Sequence, residues 1–205
     1  METPNVVLMQ QAREALSGRW GLAIGTFVVY GIIVGGIGII PGASLLIAGP
    51  FALGMAQFSM SISRKEDAKL EQIFSGFNRF GTSLGAYLLM MIFILLWSLL
   101  FIIPGIIAGL SYSMTFFLLA DHPTMGASEA IDESKRMMDG HKMKLFRLSL
   151  RLFGLALLCI LTLGIGFFWL MPFAQVCMVE FYEDLKGTGD KEADISDHIL
   201  VPEIF

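Results

Sequence analysis

Two residues of opposite charge, Arg151 and Glu180, are the strongest candidates for chemistry in this chain. The 28 residues between them carry no charged side chain and no histidine. If the segment turns at residues 164–166, Arg151 precedes the turn by 13 residues and Glu180 follows it by 14. A helix rises about 1.5 Å per residue, so both charges would lie about 20 Å from the turn. We therefore predict that the two residues pair between neighbouring helices.

A charge at that depth of a hydrocarbon core about 30 Å thick costs several kcal/mol unless it is paired or reaches the interface. Two interpretations of the pair remain open. In the functional one, Arg151 and Glu180 hold a substrate or an ion in the inner leaflet. In the structural one, Arg151 extends its side chain to the interface and has a structural partner, or the bilayer thins locally around it.

Two proline-bearing segments add uncharged candidates to this ligand or ion site. Pro50 and Pro172 fall within predicted helices, where each removes a backbone hydrogen bond and could open a local site, as broken helices do in transporters. Gln57 and Gln175 lie on the same two helices. The alternative is that the prolines kink the helices for packing and that the two amides bond neighbouring helices.

A basic group precedes Arg151 along the chain. Lys142, Lys144 and Arg147 could hold anionic lipid headgroups together with Arg151. The alternative is ordinary anchoring of a helix end by basic residues.

Other chemistry is not supported by the sequence. His122, His141 and His198 are isolated and lack the spacing of metal ligands, so we predict no metal site and no cofactor. The chain has no nucleophile elbow or phosphate loop, and no basic face for nucleic acid. We therefore predict that the protein is not an enzyme.

The elements that position these residues are apolar helices. Hydrophobic residues make up 55% of the chain and charged residues 16%, with a mean hydropathy of +0.70. Soluble domains have about 25% charged residues. Two charge-free stretches, 20–63 and 80–120, each offer two crossings of roughly 20 residues. Both contain Ile-Ile-Pro-Gly near the middle, at 39–42 and 102–105, where a hairpin would turn.

We predict an all-α integral membrane protein with six transmembrane helices in three repeated hairpins, joined by cytoplasmic amphipathic helices. The predicted helices lie near residues 20–40, 43–63, 82–103, 105–120, 145–163 and 167–183, and the hairpins span 20–63, 80–120 and 145–183. They form one membrane domain over residues 1–186, followed by a loosely ordered acidic cytoplasmic tail over 187–205.

Short amphipathic segments before each hairpin suggest an internal repeat. Gly18, Gly76 and Gly140 end these segments at intervals of 58 and 64 residues, which is typical of a duplicated module. The first segment is predicted to face lipid and the second to form a helix that lies on the surface. Their apolar stripes are Val6, Met9, Ala12 and Leu16, and Leu70, Ile73, Phe74 and Phe77.

The basic residues predict the orientation. All 14 Lys and Arg lie in the termini, in the two connectors or in the first turns of the fifth helix, and none lies near the three turns. Because basic residues stay in the cytoplasm, both termini and both connectors are predicted to be cytoplasmic.

Several strings resemble a known family. They are IFSGF at 73–77, LLWSLLFIIPGIIAGLSYSM at 95–114, LADHP at 119–123, SKRMMDGHKMKLF at 134–146, LTLGIGFFWLMPF at 161–173 and FYEDL at 181–185. Over roughly residues 5–186 the chain resembles the bacterial six-helix membrane family of domain of unknown function 975. That family is distantly similar to the membrane domain of some glycerophosphodiester phosphodiesterases. The resemblance implies a protein of the bacterial cytoplasmic (inner) membrane and brings no catalytic residues.

Three classes of function remain open. The favoured one is a non-enzymatic accessory, lipid-organising or protective role. The expected partners are the phospholipid bilayer, anionic lipids, and either a membrane-protein partner or a second copy of the chain. The first alternative is a small transporter or channel that uses Arg151 and Glu180. The second is an intramembrane enzyme.

Overall fold

The computed structural model describes residues 3–37, 42–162 and 164–200, and every regular element in these ranges is a helix. In chain order they are α1 (Asn5–Leu16), α2 (Trp20–Ile37), α3 (Ala43–Ser63), a 3-10 helix (Leu70–Arg79), α4 (Phe80–Leu100), α5 (Ile102–Tyr112), α6 (Thr115–Asp121), α7 (Ala127–Met137), α8 (Lys142–Leu161) and α9 (Phe167–Leu200). Helices satisfy their own backbone groups, which apolar surroundings require. The prediction of an all-α protein is confirmed for the described residues.

Four segments are long and apolar enough to cross a membrane, namely Trp20–Ile37, Ala43–Ser63, Leu70–Leu99 and Ile103–Asp121. This finding supports a membrane protein. In α8 the uncharged part covers only residues 152–161, which is about 15 Å of helix and half a hydrocarbon core. The six-helix hairpin architecture is therefore not confirmed, and it stays a prediction.

The central helix is α3, whose residues are mostly buried after its first two turns. It packs against the 3-10 helix, α4, α6 and α9. Glycines bring its backbone into direct contact with the 3-10 helix. A Cβ at Gly54 would lie 2.0 Å from the Ile73 carbonyl oxygen, and one at Gly76 would lie 1.9 Å from the Pro50 carbonyl oxygen. The predicted surface helix is thus a 3-10 helix docked on α3.

The first amphipathic helix also docks on protein. The buried face of α1 includes Leu8, Ala12, Ala15 and Leu16, and it packs against α9 and α3. Val6, predicted to face lipid, is 62% exposed on the opposite side. The predicted lipid-facing stripe is wrong because the apolar face is wide enough to bury itself in the helix bundle.

The three predicted repeat units differ in structure. Gly18 and Gly140 have φ values of +77° and +78° and lie in the turns that follow α1 and α7. Gly76 lies within the 3-10 helix instead. In addition, α2 contacts α9 more extensively than it contacts α3, its predicted hairpin partner. The threefold repeat is not confirmed.

The turns of the hairpins correct the predicted helix bounds. The first turn, at Pro41, lies outside the described residues. The second is at Phe101, which is extended with φ −159° and ψ 149°, while Pro104 lies in the first turn of α5, where no backbone N–H is needed. The third is at Gly164, with φ +85°. The helix predicted over 105–120 is broken at residues 113–114, between α5 and α6.

The acidic tail was predicted to be loosely ordered from residue 187, and this is wrong as far as Leu200. Helix α9 continues without a break from Phe167 to Leu200. Extending an existing helix by one residue costs far less than nucleating a new one, so the apolar half of α9 supports its polar continuation.

Candidate functional site

The candidate site is built on the first half of α8. Lys144, Arg147 and Arg151 are spaced by three and four residues, so they share one face of the helix. The buried Leu145 and Leu148 hold the adjacent face against the core. The three cations line a cavity of about 390 Å³, which we call the cationic cradle. Its other lining residues are Thr3, Pro4, Asn5, Gly140 and Met143.

The N-terminal segment forms one wall of the cationic cradle. The Thr3 hydroxyl donates a hydrogen bond to the Asp184 carboxylate, and the Asn5 side-chain amide donates to the Lys144 carbonyl oxygen at 2.9 Å. The residue at the N-cap position of α1 is Pro4. The Thr3 hydroxyl is therefore not used as a helix cap, and it ties the N-terminal segment to α9.

Lys144 and Asp184 form an ion pair behind this wall. Their Nζ and Oδ2 atoms are 2.6 Å apart, and the two side chains are only 12% and 11% exposed. Burial alone would raise the pKa of the Asp184 carboxyl group, but the hydrogen bonds from Lys144 and Thr3 outweigh burial and hold this pKa below its ordinary value. Asp184 is thus an anion at neutral pH and fixes Lys144 at the edge of the cradle.

Three groups in the cradle lack partners among the described residues. Asn5 is 8% exposed, and its Oδ1 atom accepts no hydrogen bond there. Arg147 and Arg151 are exposed and form no ion pair or hydrogen bond with the described part of the chain. A buried acceptor without a partner costs about 1–3 kcal/mol. The cradle therefore offers two cations and one acceptor to a ligand.

The predicted pair of Arg151 and Glu180 is not formed. A Glu180 carboxylate oxygen accepts a hydrogen bond from the Ser63 hydroxyl at 2.7 Å, where α3 ends. Arg151 lines the cradle on the side of the N-terminal segment. The helices α8 and α9 turn the two side chains towards different neighbours. Sequence spacing predicted the distance of each charge from the turn along its helix, but it did not determine the direction of each side chain around the helix axis.

The two predicted glutamines have separate surroundings. The Gln57 carbonyl oxygen accepts a hydrogen bond from the Ser75 hydroxyl, which ties α3 to the 3-10 helix. Gln175 lines a different cavity, between α2, α3, α6 and α9. Arg151, Glu180, Gln57 and Gln175 therefore do not form one site.

Lys142 is also separate from the predicted lipid-binding group. Its Nζ atom lies 3.9 Å from an Asp139 carboxylate oxygen, and its side chain lines a cavity shared with Lys135 and Trp97. Lys142 precedes Lys144 by two residues, which places it about 200° around the helix from that residue. The other three residues of the predicted group, Lys144, Arg147 and Arg151, lie together in the cradle.

Sequence reasoning missed the Asn5–Lys144 contact and a second polar cluster around Asp121. The Asp121 carboxylate accepts hydrogen bonds from Arg64 at 2.7 Å, Lys186 at 2.6 Å and the Tyr182 hydroxyl at 3.0 Å. Arg64 and Asp121 lie at the C-terminal ends of α3 and α6, whereas Tyr182 and Lys186 lie near the middle of α9. The signal in the sequence that could have predicted this cluster was the position of its residues at the same ends of three predicted spans.

Among the described residues, no group of three or more His, Cys, Asp or Glu could hold a metal ion.

The three cations of the cradle, Asp184 and the break between α5 and α6 all lie between residues 99 and 188. Residues 99–188 match the family described as a protein of unknown function (DUF975). This match confirms, over residues 99–188 of the chain, the resemblance to the DUF975 family that the sequence strings predicted. No match supports the further similarity to glycerophosphodiester phosphodiesterases. No curated protein and no solved structure matches the chain.

Proposed function

We propose that this protein is a non-enzymatic accessory protein of the bacterial cytoplasmic membrane that binds anionic phospholipid headgroups in the cationic cradle and so organises lipid around α8. One observation carries the proposal. Arg147 and Arg151 have no partner among the described residues and lie beside the buried Asn5, whose Oδ1 atom has none either.

The position of the cradle along α8 suits a headgroup. The four basic residues of α8 end at Arg151, and residues 152–161 are uncharged. A phospholipid has the same order of groups, with a phosphate at the interface and acyl chains below it. The phosphate would contact Arg147 and Arg151 while the chains lie along the exposed apolar side chains of α8, among them Leu157 and Leu158.

The chemistry of the cradle favours a headgroup that carries both a negative charge and a hydroxyl group. Arginine binds phosphate through two parallel charge-assisted hydrogen bonds, and each cation near an anionic surface contributes about 1 kcal/mol. The free acceptor on Asn5 requires a donor, which the glycerol headgroup of phosphatidylglycerol supplies. Zwitterionic phosphatidylcholine has neither net charge nor a donor.

The orientation belongs to the same proposal. With all 14 Lys and Arg away from the predicted outer turns, the cradle, both termini and both connectors face the cytoplasm. Exposed apolar side chains on the outer halves of α4 and α8, such as Leu99 and Leu161, contact lipid, a membrane-protein partner or a second copy of the chain.

The test measures phosphatidylglycerol bound to the purified protein by native mass spectrometry, with phosphatidylcholine as the reference lipid. Replacing Arg147 and Arg151 together with Gln should weaken phosphatidylglycerol binding at least tenfold, since each lost ionic hydrogen bond is worth about 1.5–3 kcal/mol. Added salt should weaken wild-type binding as well. Arg136→Gln removes a cation whose side chain is 80% exposed on α7, so it serves as the matched control.

The proposal fails if the folded double variant binds phosphatidylglycerol as tightly as the wild type. It also fails if phosphatidylcholine binds equally well. Thermal unfolding of each variant in detergent establishes that it is folded. Asn5→Leu adds a test of the headgroup hydroxyl, because it should reduce binding of phosphatidylglycerol more than binding of phosphatidic acid.

A further inference from the structure

A second cavity lies between α2, α3, α6 and α9, within the apolar part of the bundle and apart from the cationic cradle. Its volume is about 330 Å³, and the residues that determine its chemistry are Tyr30, Ala52, Ala56, Ser113, Phe116 and Gln175. Three of the four contributing helices belong to segments that are apolar enough to cross a membrane. A ligand would therefore enter from the bilayer.

The cavity exists because of small side chains and a broken helix. Ala52 and Ala56 leave space on one face of α3. Opposite them the chain breaks between α5 and α6 at residues 113–114, which places Ser113 at the cavity and directs Phe116 into its wall. Interruptions of this kind in membrane helices are tolerated where the backbone is buried in protein or lines a cavity.

The polar groups of the cavity are uncharged, and two of them are free. The Ser113 hydroxyl donates a hydrogen bond to the Leu110 carbonyl oxygen at 2.7 Å. The Tyr30 hydroxyl and the Gln175 side-chain amide form no hydrogen bond with the described residues. Together these two groups offer both donors and acceptors. A charged ligand would find no opposite charge among the lining residues.

We infer that this cavity binds the polar end of a neutral, hydroxyl-bearing lipid, such as a long-chain alcohol or an acylglycerol. The hydroxyl group bonds Gln175 and Tyr30, and the chain leaves between the apolar side chains towards the bilayer. The volume is at the lower end of the range of small-molecule sites, about 300–1,000 Å³, which suits a headgroup with the first part of its chain. This site differs from the cradle in position and in charge.

The test uses a long-chain alcohol that carries a photoreactive diazirine near its hydroxyl group. The full-length protein in phosphatidylcholine nanodiscs is irradiated with this probe, and the labelled residues are mapped by mass spectrometry. We expect labelling to concentrate on the cavity residues. Unlabelled alcohol should compete, whereas an alkane of the same length and phosphatidylglycerol should not.

Two substitutions test the assignment in different ways. Ala52→Leu fills the space, and Gln175→Leu removes the amide while keeping a side chain of similar size. Gln175→Leu should reduce labelling about fivefold, the effect of losing one hydrogen bond. Gln11→Leu, on the exposed face of α1, is the matched control and should leave labelling unchanged. If Ala52→Leu does not fold, Gln175→Leu still decides the question.

Equal labelling of cavity residues and of lipid-facing residues such as Leu96 and Leu158 would overturn the inference. Labelling that both variants leave unchanged would overturn it too, because neither the space beside Ala52 nor the Gln175 amide would then hold the alcohol. Neither result affects the proposed function, because phosphatidylglycerol binding depends on Arg147 and Arg151. Conversely, a failure of the cradle variants would leave the labelling of this cavity unchanged.

Discussion

The Ser134 hydroxyl of α7 donates a hydrogen bond to the Ser111 carbonyl oxygen at 2.8 Å, in the last turn of α5. The same hydroxyl accepts a hydrogen bond from the Met114 backbone N–H at 3.2 Å. Ser134 is fully buried. One side chain thus satisfies two backbone groups that the break between α5 and α6 leaves without helical partners.

Ser134→Ala should destabilise the protein because it leaves the Ser111 carbonyl and the Met114 N–H buried without these partners. We expect a loss of about 1–3 kcal/mol in the free energy of unfolding, measured by denaturant titration in detergent micelles. Ser128→Ala, at an exposed position on α7, controls for the loss of a helical serine. Equal stability of the two variants would contradict the assigned role of Ser134.

Gly76→Ala should prevent the 3-10 helix from docking on α3. Its added Cβ would lie 1.9 Å from the Pro50 carbonyl oxygen, a distance that only a backbone shift can relieve. We expect a loss of several kcal/mol or of folded protein altogether, since overpacking of a rigid contact costs at least about 1–3 kcal/mol. The measurement is the yield of monodisperse protein together with its unfolding temperature.

Gly81→Ala is the matched control for Gly76→Ala. No atom lies within 4 Å of a Cβ placed on Gly81, and this residue is in the first turn of α4. Alanine should therefore be neutral or stabilise the helix by up to about 1 kcal/mol. A stable Gly76→Ala protein would show that the two backbones are not held in contact.

Asp121→Ala should loosen the C-terminal ends of α3 and α6 from the middle of α9. The Asp121 side chain is 9% exposed, whereas Arg64 and Lys186 are 31% and 39% exposed, so solvent screens part of each interaction. We therefore expect a loss of about 1–3 kcal/mol in the free energy of unfolding. Asp139→Ala, with a side chain 87% exposed, should change it by less than about 0.5 kcal/mol. Similar effects of the two substitutions would argue against the cluster.

Asp184→Asn should make stability less dependent on pH in the acidic range. The pKa of Asp184 in the folded protein lies below the ordinary value of 3.8, so the folded state favours the carboxylate. Its contribution is fully present above that ordinary value and is lost as the pH falls through the lowered pKa of the folded state.

The free energy of unfolding, measured from pH 7 down to pH 3 for the wild type and Asp184→Asn, checks this prediction. The variant should be less stable at neutral pH, and the difference should shrink as the solution becomes acidic. Asp132→Asn controls for the removal of one exposed carboxylate. A difference between wild type and Asp184→Asn that grows on acidification would contradict the sign of the pKa change.

The elements could be predicted from the sequence because they depend on local properties. Long runs without charge determine where α2, α3, α4 and α5 lie, since apolar backbone must form helices in lipid. The strings that resemble the DUF975 family could also be recognised from the sequence, because each of them is contiguous in the chain. Helix ends were less predictable, as Pro104 shows, because a proline is tolerated equally well in a turn and in the first turn of a helix.

The direction of each side chain depended on tertiary structure. Sequence spacing predicted a pair of Arg151 and Glu180, but the rotation of α8 and α9 about their axes decides that one faces the N-terminal segment and the other faces Ser63. That rotation depends on the burial of residues far apart in the chain, such as Leu8 against α9. Asn5 and Lys144 are 139 positions apart, and no local pattern could bring them together. The sequence by itself therefore determined that the chain forms apolar helices with basic ends, and only their packing decided which of the charged residues share a site.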